Sequence, residues 1–342
     1  MSDDKVKIAI SIWGQCLHQN PLGKDWLFPK YLEEAGFELV PLDDNSAQFY
    51  AALDYSKRAL SRVERLSARQ KILIAFEPKA VNPSQHTESI RNQFGAVYVM
   101  SPEQLIRSSD RVIQLGPFAD LNRVSAMLNQ ASSKPRLAEV VILNENKFSF
   151  VPNNNYKMRY RAIRELAEAG WQVNIGGKNW QQGFVWQLKE QLITLLVNLK
   201  SGSKVDLRMY HGPLRTSSKI KFWGRVEDGL EFLSRFEFAL AIENDSQYLS
   251  EKLLNAIAAG CVPIYVGASL NHFGIPAEVA MHVSGDPGEF VESLRNIGSA
   301  DSERIRDAGR NWLLEPGVLE HWSHDQALKN IVEVILRHAT DS

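Results

Sequence analysis

Short apolar runs alternate with amphipathic or polar segments along the first third of the chain. Continuous apolar runs are typical of strands buried on both faces of a parallel sheet, and the segments between them have helical spacing. This alternation predicts a Rossmann-like βα domain. Residues 48–53 fit a strand or a helix, and the βα step that follows favours a strand. The predicted strands are 5–12, 37–41, 48–53, 71–76, 96–100 and 112–115, and the predicted helices are 26–35, 56–67, 84–93 and 102–107.

The same alternation resumes later in the chain and predicts a second domain of the same kind. Residues 131–135 are small, polar and proline-bearing, which is typical of a linker. We therefore predict an α/β protein with two Rossmann-like domains, residues 1–133 and 134–325, followed by a C-terminal helix in 326–342. The amphipathic stretch 181–199 is expected to serve mainly core packing. The predicted strands of this half are 138–143, 171–175, 219–223, 238–242 and 262–266, and the main later helices are 287–296, 302–314 and 326–338.

Composition and charge narrow the function classes. The chain has 342 residues, enough for two cores, with 44% hydrophobic and 23% charged residues. A formal net charge of −1 gives no electrostatic case for nucleic acid or an anionic membrane as the main partner. No G-x-G-x-x-G motif follows the first strand, which disfavours a dinucleotide-dependent redox enzyme. Cys16 and Cys261 are far apart, so neither a disulfide framework nor a metal cluster is indicated, and Cys261 is expected to be a buried thiol.

Membrane targeting is not predicted. The first residues, MSDDKV, are acidic, and the apolar run after them is too short for a signal peptide. No run of about twenty apolar residues, the length that spans a bilayer, is present. We therefore expect no membrane anchor, and peripheral membrane contact stays open.

The stretch 236–267 carries the most specific chemistry. It predicts a strand, a polar loop, a helix and a second strand, so the loop lies at the carboxyl end of a strand, where α/β proteins bind ligands. A helix N-terminus attracts phosphate through its free N–H groups, and Lys252 adds a positive charge there. An ordinary first turn, with Ser250 as cap and Lys252 in solvent, explains the same pattern. The polar side chains that crowd here are Glu243, Asn244, Tyr248, Glu251 and Lys252.

A second candidate segment begins with three asparagines at 153–155. Asn153 ends a strand segment, and the helix that follows opens with basic residues that include Arg159 and Arg161. Basic residues in the first turns oppose the helix dipole, and a bound anion would explain them. Solvated helix charges are the alternative.

Glu77 follows the apolar run 71–76 and precedes Pro78. A carboxylate at the end of a buried parallel strand is well placed to act as a general base in a cleft. An exposed strand-end glutamate is the alternative, and the residues alone favour it.

Other strand ends carry polar or flexible residues that are weaker candidates for ligand contacts. Each of them is also compatible with a plain surface loop. They are Trp13 and His18 after the first strand, Gly177 and Lys178 after the strand 171–175, and Arg225 after the strand 219–223.

The motif residues resemble those of glycosyltransferase family ten, the α-1,3/1,4-fucosyltransferases. The family pattern has Glu-Asn after a strand, then Tyr-x-Ser-Glu-Lys at a helix start, then Val-Pro-Ile and a glycine. The chain departs from it in three ways: Ile242 stands for Phe, Asp245 stands for Ser, and the loop before Tyr248 is shorter. The matching residues are Glu243-Asn244, Tyr248-Leu249-Ser250-Glu251-Lys252 and Val262-Pro263-Ile264-Tyr265-Val266-Gly267.

The resemblance implies a GT-B fold, two Rossmann-like domains facing a cleft with the C-terminal helix crossing back to the first, and an inverting transfer of fucose from GDP-fucose to a glycan hydroxyl. It implies Glu77 as the general base, Arg159 and Lys252 as cations on the leaving diphosphate, and Glu251 as the group that orients the sugar. Further implied donor contacts are Asn153, Arg161, Gly177, Lys178, Arg225, Glu243, Asn244 and Tyr248, and implied acceptor contacts are Trp13 and His18.

Further expectations concern cofactors, partners and location. The chain has no D-x-D motif at a strand end, so a divalent cation is compatible with donor binding but not required. The expected partners are a nucleotide sugar and a glycan acceptor, with no nucleic acid, and the oligomeric state stays open. The resemblance is to soluble bacterial members, which implies a cytoplasmic location. The alternatives are the same fold with another nucleotide sugar, or a nucleotide-binding protein without catalysis.

Overall fold

A computed structural model describes residues 5–19, 27–101, 107, 109–113, 121–130, 136–214 and 217–341. The chain divides into two compact units. The first comprises Met1–Leu115 with His324–Ser342, and the second comprises Gly116–Ser323. The segment between residues 116 and 133, which the predicted boundary assigns to the first domain, thus falls in the second unit.

The first unit is built on a mainly parallel sheet. The central strand β1 is paired in parallel with β3 along one edge and with β4 along the other, and the sheet continues from β4 through β5 and β6 to β7. Among the described strands of this sheet, only β2 is antiparallel, and it pairs with the end of β1. The predicted strand at 48–53 is confirmed. The strands are β1 (Val6–Ile12), β2 (Gln15–Cys16), β3 (Phe37–Val40), β4 (Phe49–Leu53), β5 (Lys71–Ala75), β6 (Ala96–Val99) and β7 (Arg111–Val112).

Short helices connect these strands. They are α1 (Phe28–Glu34), α2 (Lys57–Ser61) and α3 (Glu88–Arg91). Pro29 lies in the first turn of α1, where a missing N–H costs no helical hydrogen bond. The predicted helix at 102–107 lies almost entirely outside the described residues.

The second unit has an all-parallel sheet among its described strands. Its order is β10-β9-β8-β11-β12-β13, so the sequence order reverses between β8 and β11. The strands are β8 (Leu137–Leu143), β9 (Val173–Gly176), β10 (Ile220–Gly224), β11 (Phe236–Ile242), β12 (Val262–Val266) and β13 (Met281–His282).

The central strand β11 explains why the apolar runs are continuous. Its alternate residues Phe238, Leu240 and Ile242 enter one core cluster, while Ala239 and Ala241 enter clusters on the other side. Large side chains on one face and small ones on the other let helices pack against both faces.

The helices of the second unit are α4 (Leu121–Gln130), α5 (Tyr156–Glu168), α6 (Phe184–Lys200), α7 (Gly229–Leu233), α8 (Glu251–Ala258), α9 (Pro287–Asn296), α10 (Ser299–Leu314) and α11 (Val318–His321). Val124 and Leu128 of α4 belong to the same core cluster as Leu253 and Ile257 of α8. The last helix, α12 (His324–Asp341), returns to the first unit, where Asp325 accepts a hydrogen bond from Tyr31 of α1.

One helix differs from its prediction. Helix α6 was expected to bury its apolar residues, yet the side chains that it buries are Gln187, Gln191 and Asn198. The physical reason is that these amides hydrogen-bond to other polar groups of the unit, which holds the polar side of α6 inward.

Cys16 and Cys261 are free and buried, and the expected burial of Cys261 is confirmed. Burial raises the pKa of the Cys261 thiol to about 12. Among the helices in the described parts of the chain, none combines the length and the apolar character needed to cross a membrane.

Candidate active site

The candidate site of the second unit lies at the topological switch point of its sheet, between β8 and β11, from which the chain continues outward in opposite directions. Strand β8 connects to β9 on one side, and β11 connects to β12 on the other. Helices α5 and α8 follow these two strands and pack in different core clusters. A crevice opens at such a point beyond the carboxyl ends of the strands. The predicted donor residues at the ends of β8 and β11 therefore come together here.

Glu243, directly after β11, is the centre of this cluster. Its side chain has no exposed surface. One carboxylate oxygen accepts a hydrogen bond from the main-chain N–H of Ser250 at 2.8 Å, and the other accepts from Ser250 Oγ at 2.7 Å and from Lys252 Nζ at 3.2 Å. The carboxylate is therefore fully engaged by the first turn of α8.

Ser250 connects the acid and the base of this cluster. It caps α8, and its Oγ accepts a hydrogen bond from Lys252 Nζ at 2.7 Å while it donates to Glu243. Two groups thus fix the Lys252 ammonium group, and 13% of the Lys252 side chain is exposed. The ordinary-turn alternative, with Lys252 extended into solvent, does not describe this geometry.

Arg159 lies on the α5 side of the switch point and is 2% exposed. Its Nη2 donates to the carbonyl oxygen of Ile242 and to Asn244 Oδ1, both at 2.8 Å, and its Nε donates to the same carbonyl at 3.2 Å. Its guanidinium also lies 4.9 Å from the centre of the Tyr156 ring. Burial lowers the pKa of Arg159, while Tyr156 and Glu243 act in the opposite direction. Arg159, which lies on α5, therefore attaches this helix to the loop that contains Glu243.

Several buried amides around the same strand ends have atoms without a hydrogen-bond partner among the described residues. They are Oδ1 of Asn144, Oδ1 of Asn146 and Nδ2 of Asn155. Buried polar atoms of this kind are rare in folded proteins and often mark functional sites. Asn155 also donates its main-chain N–H to the carbonyl of Asn244 at 3.1 Å, which links the start of α5 to the loop after β11.

Gly177 follows β9 at a close backbone approach. Its φ of +124° lies in a region that side chains disfavour, and a Cβ there would lie 2.0 Å from the carbonyl oxygen of Asn144. Its N–H donates to the carbonyl of Gly224 at 2.7 Å. The glycine thus lets the ends of β8, β9 and β10 converge. Lys178, the next residue, is exposed, with its Nζ 3.8 Å from Glu145.

Four other predicted donor contacts lie at the edges of this cluster. Glu251 is exposed in the first turn of α8, and Asn153 is exposed with a left-handed φ of 67°. Tyr248 is half-buried and accepts a hydrogen bond through its carbonyl from the N–H of Ala268 at 3.1 Å. Arg225 is exposed after β10, two strands away from β8.

Arg161 is not brought together with Arg159. The two residues are two positions apart on α5, so their side chains leave different faces of the helix. Arg161 is exposed and lies 3.9 Å from Glu165. It lines a separate cavity of about 550 Å³ together with Lys157 and Arg164.

Glu77 lies two residues after β5 in the first unit and is half-buried, not turned into the core. Its main chain is held firmly: the N–H donates to Asp54 Oδ1 at 2.9 Å, and the carbonyl accepts from Gln85 Nε2 at 2.7 Å. His86 Nε2 lies 3.0 Å from the same carbonyl, and burial lowers the pKa of His86 to about 4. His86 is therefore neutral near pH 7, and its Nε2–H donates to Glu77.

Asp54 is the residue in the first unit that the sequence interpretation missed. It follows β4 and is 1% exposed, with a left-handed φ of 62°. Its carboxylate accepts hydrogen bonds from the Glu77 N–H, from Gln85 Nε2 and from Trp13 Nε1, each at 2.9 Å. Its position in the sequence could have identified it, because Asp54 directly follows the buried strand β4, just as Glu77 comes shortly after the buried strand β5.

The two predicted acceptor contacts differ in their surroundings. Trp13 follows β1 at the switch point of the first sheet, is 65% exposed and is tied to Asp54 through its indole N–H. His18 is exposed on the loop after β2. In the described ranges, no group of three or more His, Cys, Asp or Glu side chains is arranged to hold a metal ion.

No family model matches the chain. A stretch of 129 residues is 28% identical to the 4-galactosyl-N-acetylglucosaminide 3-alpha-L-fucosyltransferase 9 of Mus musculus, and the match covers 33% of this chain. It covers 36% of that enzyme, so the chain spans about a third of the length of the curated relative that it matches.

Solved structures match nearly the whole chain. An alpha1,3-fucosyltransferase with GDP is similar with a TM-score of 0.55 and 13% identity, over 98% of this chain and 92% of that one. Alr3699/HepE of Anabaena, in complex with UDP and glucose, is similar with a TM-score of 0.54 and 12% identity, over 94% and 83% of the two chains. These structures confirm the predicted GT-B type of fold. The chain is thus similar to a 3-alpha-L-fucosyltransferase over about a third of its length, and it shares its fold with solved glycosyltransferase structures.

Proposed function

We propose that the chain is an inverting glycosyltransferase that moves fucose from GDP-fucose to a hydroxyl of a glycan acceptor. One observation carries the proposal: the cluster of Glu243, Ser250, Lys252 and Arg159 at the switch point of the second sheet. The sequence relationship to a 3-alpha-L-fucosyltransferase supports fucose as the sugar. A cytoplasmic location is proposed on the resemblance to soluble bacterial members alone.

The donor side has to stabilise a leaving diphosphate. As the bond between the anomeric carbon and the phosphate oxygen breaks, its electron pair stays on the diphosphate, and preorganised cations there lower the barrier. Lys252 is held in place by Glu243 and Ser250, so it needs little reorganisation to meet the developing charge. The N-terminal turn of α8, which carries Lys252, adds the positive end of the helix dipole. Because Lys252 and Arg159 supply positive charge, the proposal does not require a divalent cation.

The acceptor side has to remove a proton. We assign this step to Glu77: the acceptor hydroxyl gives its proton to the carboxylate while its oxygen forms the new bond to the anomeric carbon, opposite to the leaving diphosphate. The hydrogen bonds from Gln85 and to Asp54 fix the main chain of Glu77, which supports a well-positioned base. Trp13, exposed beside Asp54, is the proposed acceptor contact of this unit.

Two alternatives differ from this proposal, and the first has specific support. The loop between Glu243 and Tyr248 is shorter than in the family pattern, and a fold neighbour holds UDP and glucose, which favours a different nucleotide sugar. A binding protein without catalysis would keep the donor cluster but would not use Glu77.

The test combines binding with turnover. GDP and GDP-fucose are expected to raise the thermal midpoint, since a ligand at about 100 times its Kd stabilises the native state by about 2.7 kcal/mol. Transfer or hydrolysis of GDP-fucose, followed by GDP release, should fall by about 10²–10⁴-fold in Glu77→Gln while GDP stabilisation persists. Activity should also survive EDTA.

Each contrary result changes a different part of the proposal. Stabilisation by UDP-glucose but not by GDP would replace the donor. GDP release that is equal in wild type and Glu77→Gln would remove the base assignment. Stabilisation by GDP without any transfer, over a panel of oligosaccharide acceptors, would support the binding-protein alternative.

A further inference from the structure

Helix α6 of the second unit buries polar side chains and exposes apolar ones, which is the reverse of a normal surface helix. The side chains that it buries are the amides Gln187, Gln191 and Asn198. A surface helix normally buries its apolar stripe and exposes its polar one. Here most of the leucine, isoleucine and valine side chains point outward.

Hydrogen bonds hold α6 in this orientation. Gln191 donates to the carbonyl of His211 at 2.8 Å and accepts from the N–H of His211 at 3.2 Å. Asn198 Oδ1 accepts from the N–H of Phe150 at 2.9 Å, and Gln187 donates to the carbonyl of Gln182 at 2.9 Å. Rolling the apolar side inward would leave these buried groups without partners, which is costly. The outward apolar side is therefore a fixed feature of the unit.

The outward side forms a continuous band, which we call the α6 apolar face. It consists of Val185, Leu188, Leu192, Leu196 and Leu199, whose exposed fractions range from 47% to 80%. The spacing of these residues places them on one side of a helix of 17 residues, about 25 Å long. Contiguous exposed apolar surface of this kind marks an interaction site.

The apolar face continues onto the loop that follows α6. Leu207 is 65% exposed and Tyr210 is 43% exposed. Both line an apolar groove of about 250 Å³ together with Leu188, Leu192 and Leu195. A tyrosine with an apolar ring and a polar hydroxyl is a residue typical of membrane–water interfaces.

Basic residues border the apolar face. Lys189 and Lys200 are exposed and eleven positions apart on α6, which places both on the same side of the helix, and the exposed Lys204 follows in the loop. The acidic residues of the same segment are less available: Glu190 is half-buried, and Asp206 forms an ion pair with Arg208 at 2.8 Å. The border is therefore locally positive although the whole chain has a net charge of −1.

We propose that the α6 apolar face docks on an anionic lipid surface. The leucines enter the boundary between head groups and acyl chains, and the lysines contact lipid phosphates, which is the arrangement of interfacial amphipathic helices. A second copy of the chain fits the charges less well, because a self-complementary interface would bring two lysine borders close together. The net charge of the whole sequence does not indicate this site, because its basic residues are concentrated locally beside α6.

The test is vesicle co-sedimentation of the full chain, without donor or acceptor, so its outcome does not depend on the proposed transfer reaction. Wild type should bind vesicles of phosphatidylcholine with phosphatidylglycerol, bind pure phosphatidylcholine more weakly, and dissociate as salt rises. Leu192→Gln/Leu196→Gln and Lys189→Gln/Lys200→Gln should each weaken binding by about tenfold or more.

A matched control variant is Leu314→Gln, because Leu314 is 51% exposed at the end of α10. It should bind vesicles as wild type does. All three variants change exposed side chains, so their urea midpoints should stay close to that of wild type. Two results would overturn the proposal: no vesicle binding by wild type, or binding that Leu192→Gln/Leu196→Gln leaves unchanged. A dimer in sedimentation equilibrium that this variant dissociates, without vesicle binding, would assign the face to a second copy.

Discussion

Lys252 Nζ lies 3.2 Å from a carboxylate oxygen of Glu243, whose side chain has no exposed surface. Both groups also hydrogen-bond to Ser250, so one hydroxyl joins the acid to the base. We propose two separable roles for this pair: it holds the loop after β11 against the start of α8, and it presents a cation to a bound diphosphate.

The first prediction separates these roles with a double-mutant cycle. Lys252→Met leaves Glu243 buried without its cation and should reduce the free energy of unfolding by about 3–5 kcal/mol. Glu243→Gln with Lys252→Met removes both charges and should recover much of that loss. Stability is measured by urea unfolding.

Donor binding should respond differently in the same cycle. GDP affinity, measured by calorimetry, should be lost in Lys252→Met and should not return in the double variant, because the cation is still missing. Recovery of GDP affinity together with stability would mean that Lys252 is structural and does not contact the diphosphate.

A second prediction contrasts Arg159 with Arg161. Arg159→Lys keeps the charge but loses the paired donation to Ile242 and Asn244, so we expect a loss of about 1–3 kcal/mol in stability and the loss of GDP stabilisation. Arg161→Ala, on the exposed face of α5, should change stability by about 0.5 kcal/mol or less.

Both variants are compared by measuring their thermal midpoints with and without GDP. If GDP stabilisation depends on Arg161 and not on Arg159, the diphosphate lies on the α5 face that Arg161 shares with Lys157 and Arg164. The donor assignment at the switch point would then be wrong.

A third prediction concerns Gly177. An added methyl group would meet the carbonyl oxygen of Asn144 at 2.0 Å, at a φ that side chains disfavour, so Gly177→Ala should lower stability by about 2 kcal/mol or more. Gly212→Ala is the control, since nothing lies within 4 Å of its Cβ position. Urea unfolding of the two variants should differ clearly, and equal midpoints would show that the strand ends relax around the methyl group.

The fold was predictable because burial of parallel strands leaves a direct record in the sequence. Residues 238–242 of β11 and all of β12 are continuous apolar runs, and polar residues begin at Glu243, directly after β11. The positions of Glu77 and Glu243 at strand ends followed from this rule alone. The resemblance to a family came from the motif residues at 243–244, 248–252 and 262–267.

Side-chain direction was harder to predict. Arg159 and Arg161 have the same residue type and nearly the same position, yet one is 2% exposed and the other is exposed, because two positions on a helix are about 200° apart. The pattern of α6 gave an amphipathic helix but not which side faces inward, since that depends on the groups that Gln191 and Asn198 meet. Contacts between distant segments, which sequence periodicity does not record, decided both cases.

The last prediction concerns the pH dependence of stability and rests on Asp54. Burial raises the pKa of its carboxyl group to about 6, and the hydrogen bonds from Glu77, Gln85 and Trp13 offset only part of that effect. An unfolded aspartate has a pKa of about 3.9. The folded protein therefore holds this proton more tightly than the unfolded chain, so the stabilising contribution is complete below about pH 4 and is lost as the pH rises through about 6.

Asp54→Asn removes this titration. Between about pH 4 and pH 7, the free energy of unfolding of wild type should fall by about 3 kcal/mol relative to that of the variant, as measured by urea unfolding at several pH values. Asp44→Asn is the matched control: Asp44 is half-buried, and hydrogen bonds from Ser46 lower the pKa of its carboxyl group, so the trend should have the opposite sign. If the difference in free energy of unfolding between wild type and Asp54→Asn does not change with pH in this range, the Asp54 carboxyl group has the same pKa in the folded and unfolded states. The main-chain N–H of Glu77 would then donate to a charged Asp54 carboxylate throughout this pH range.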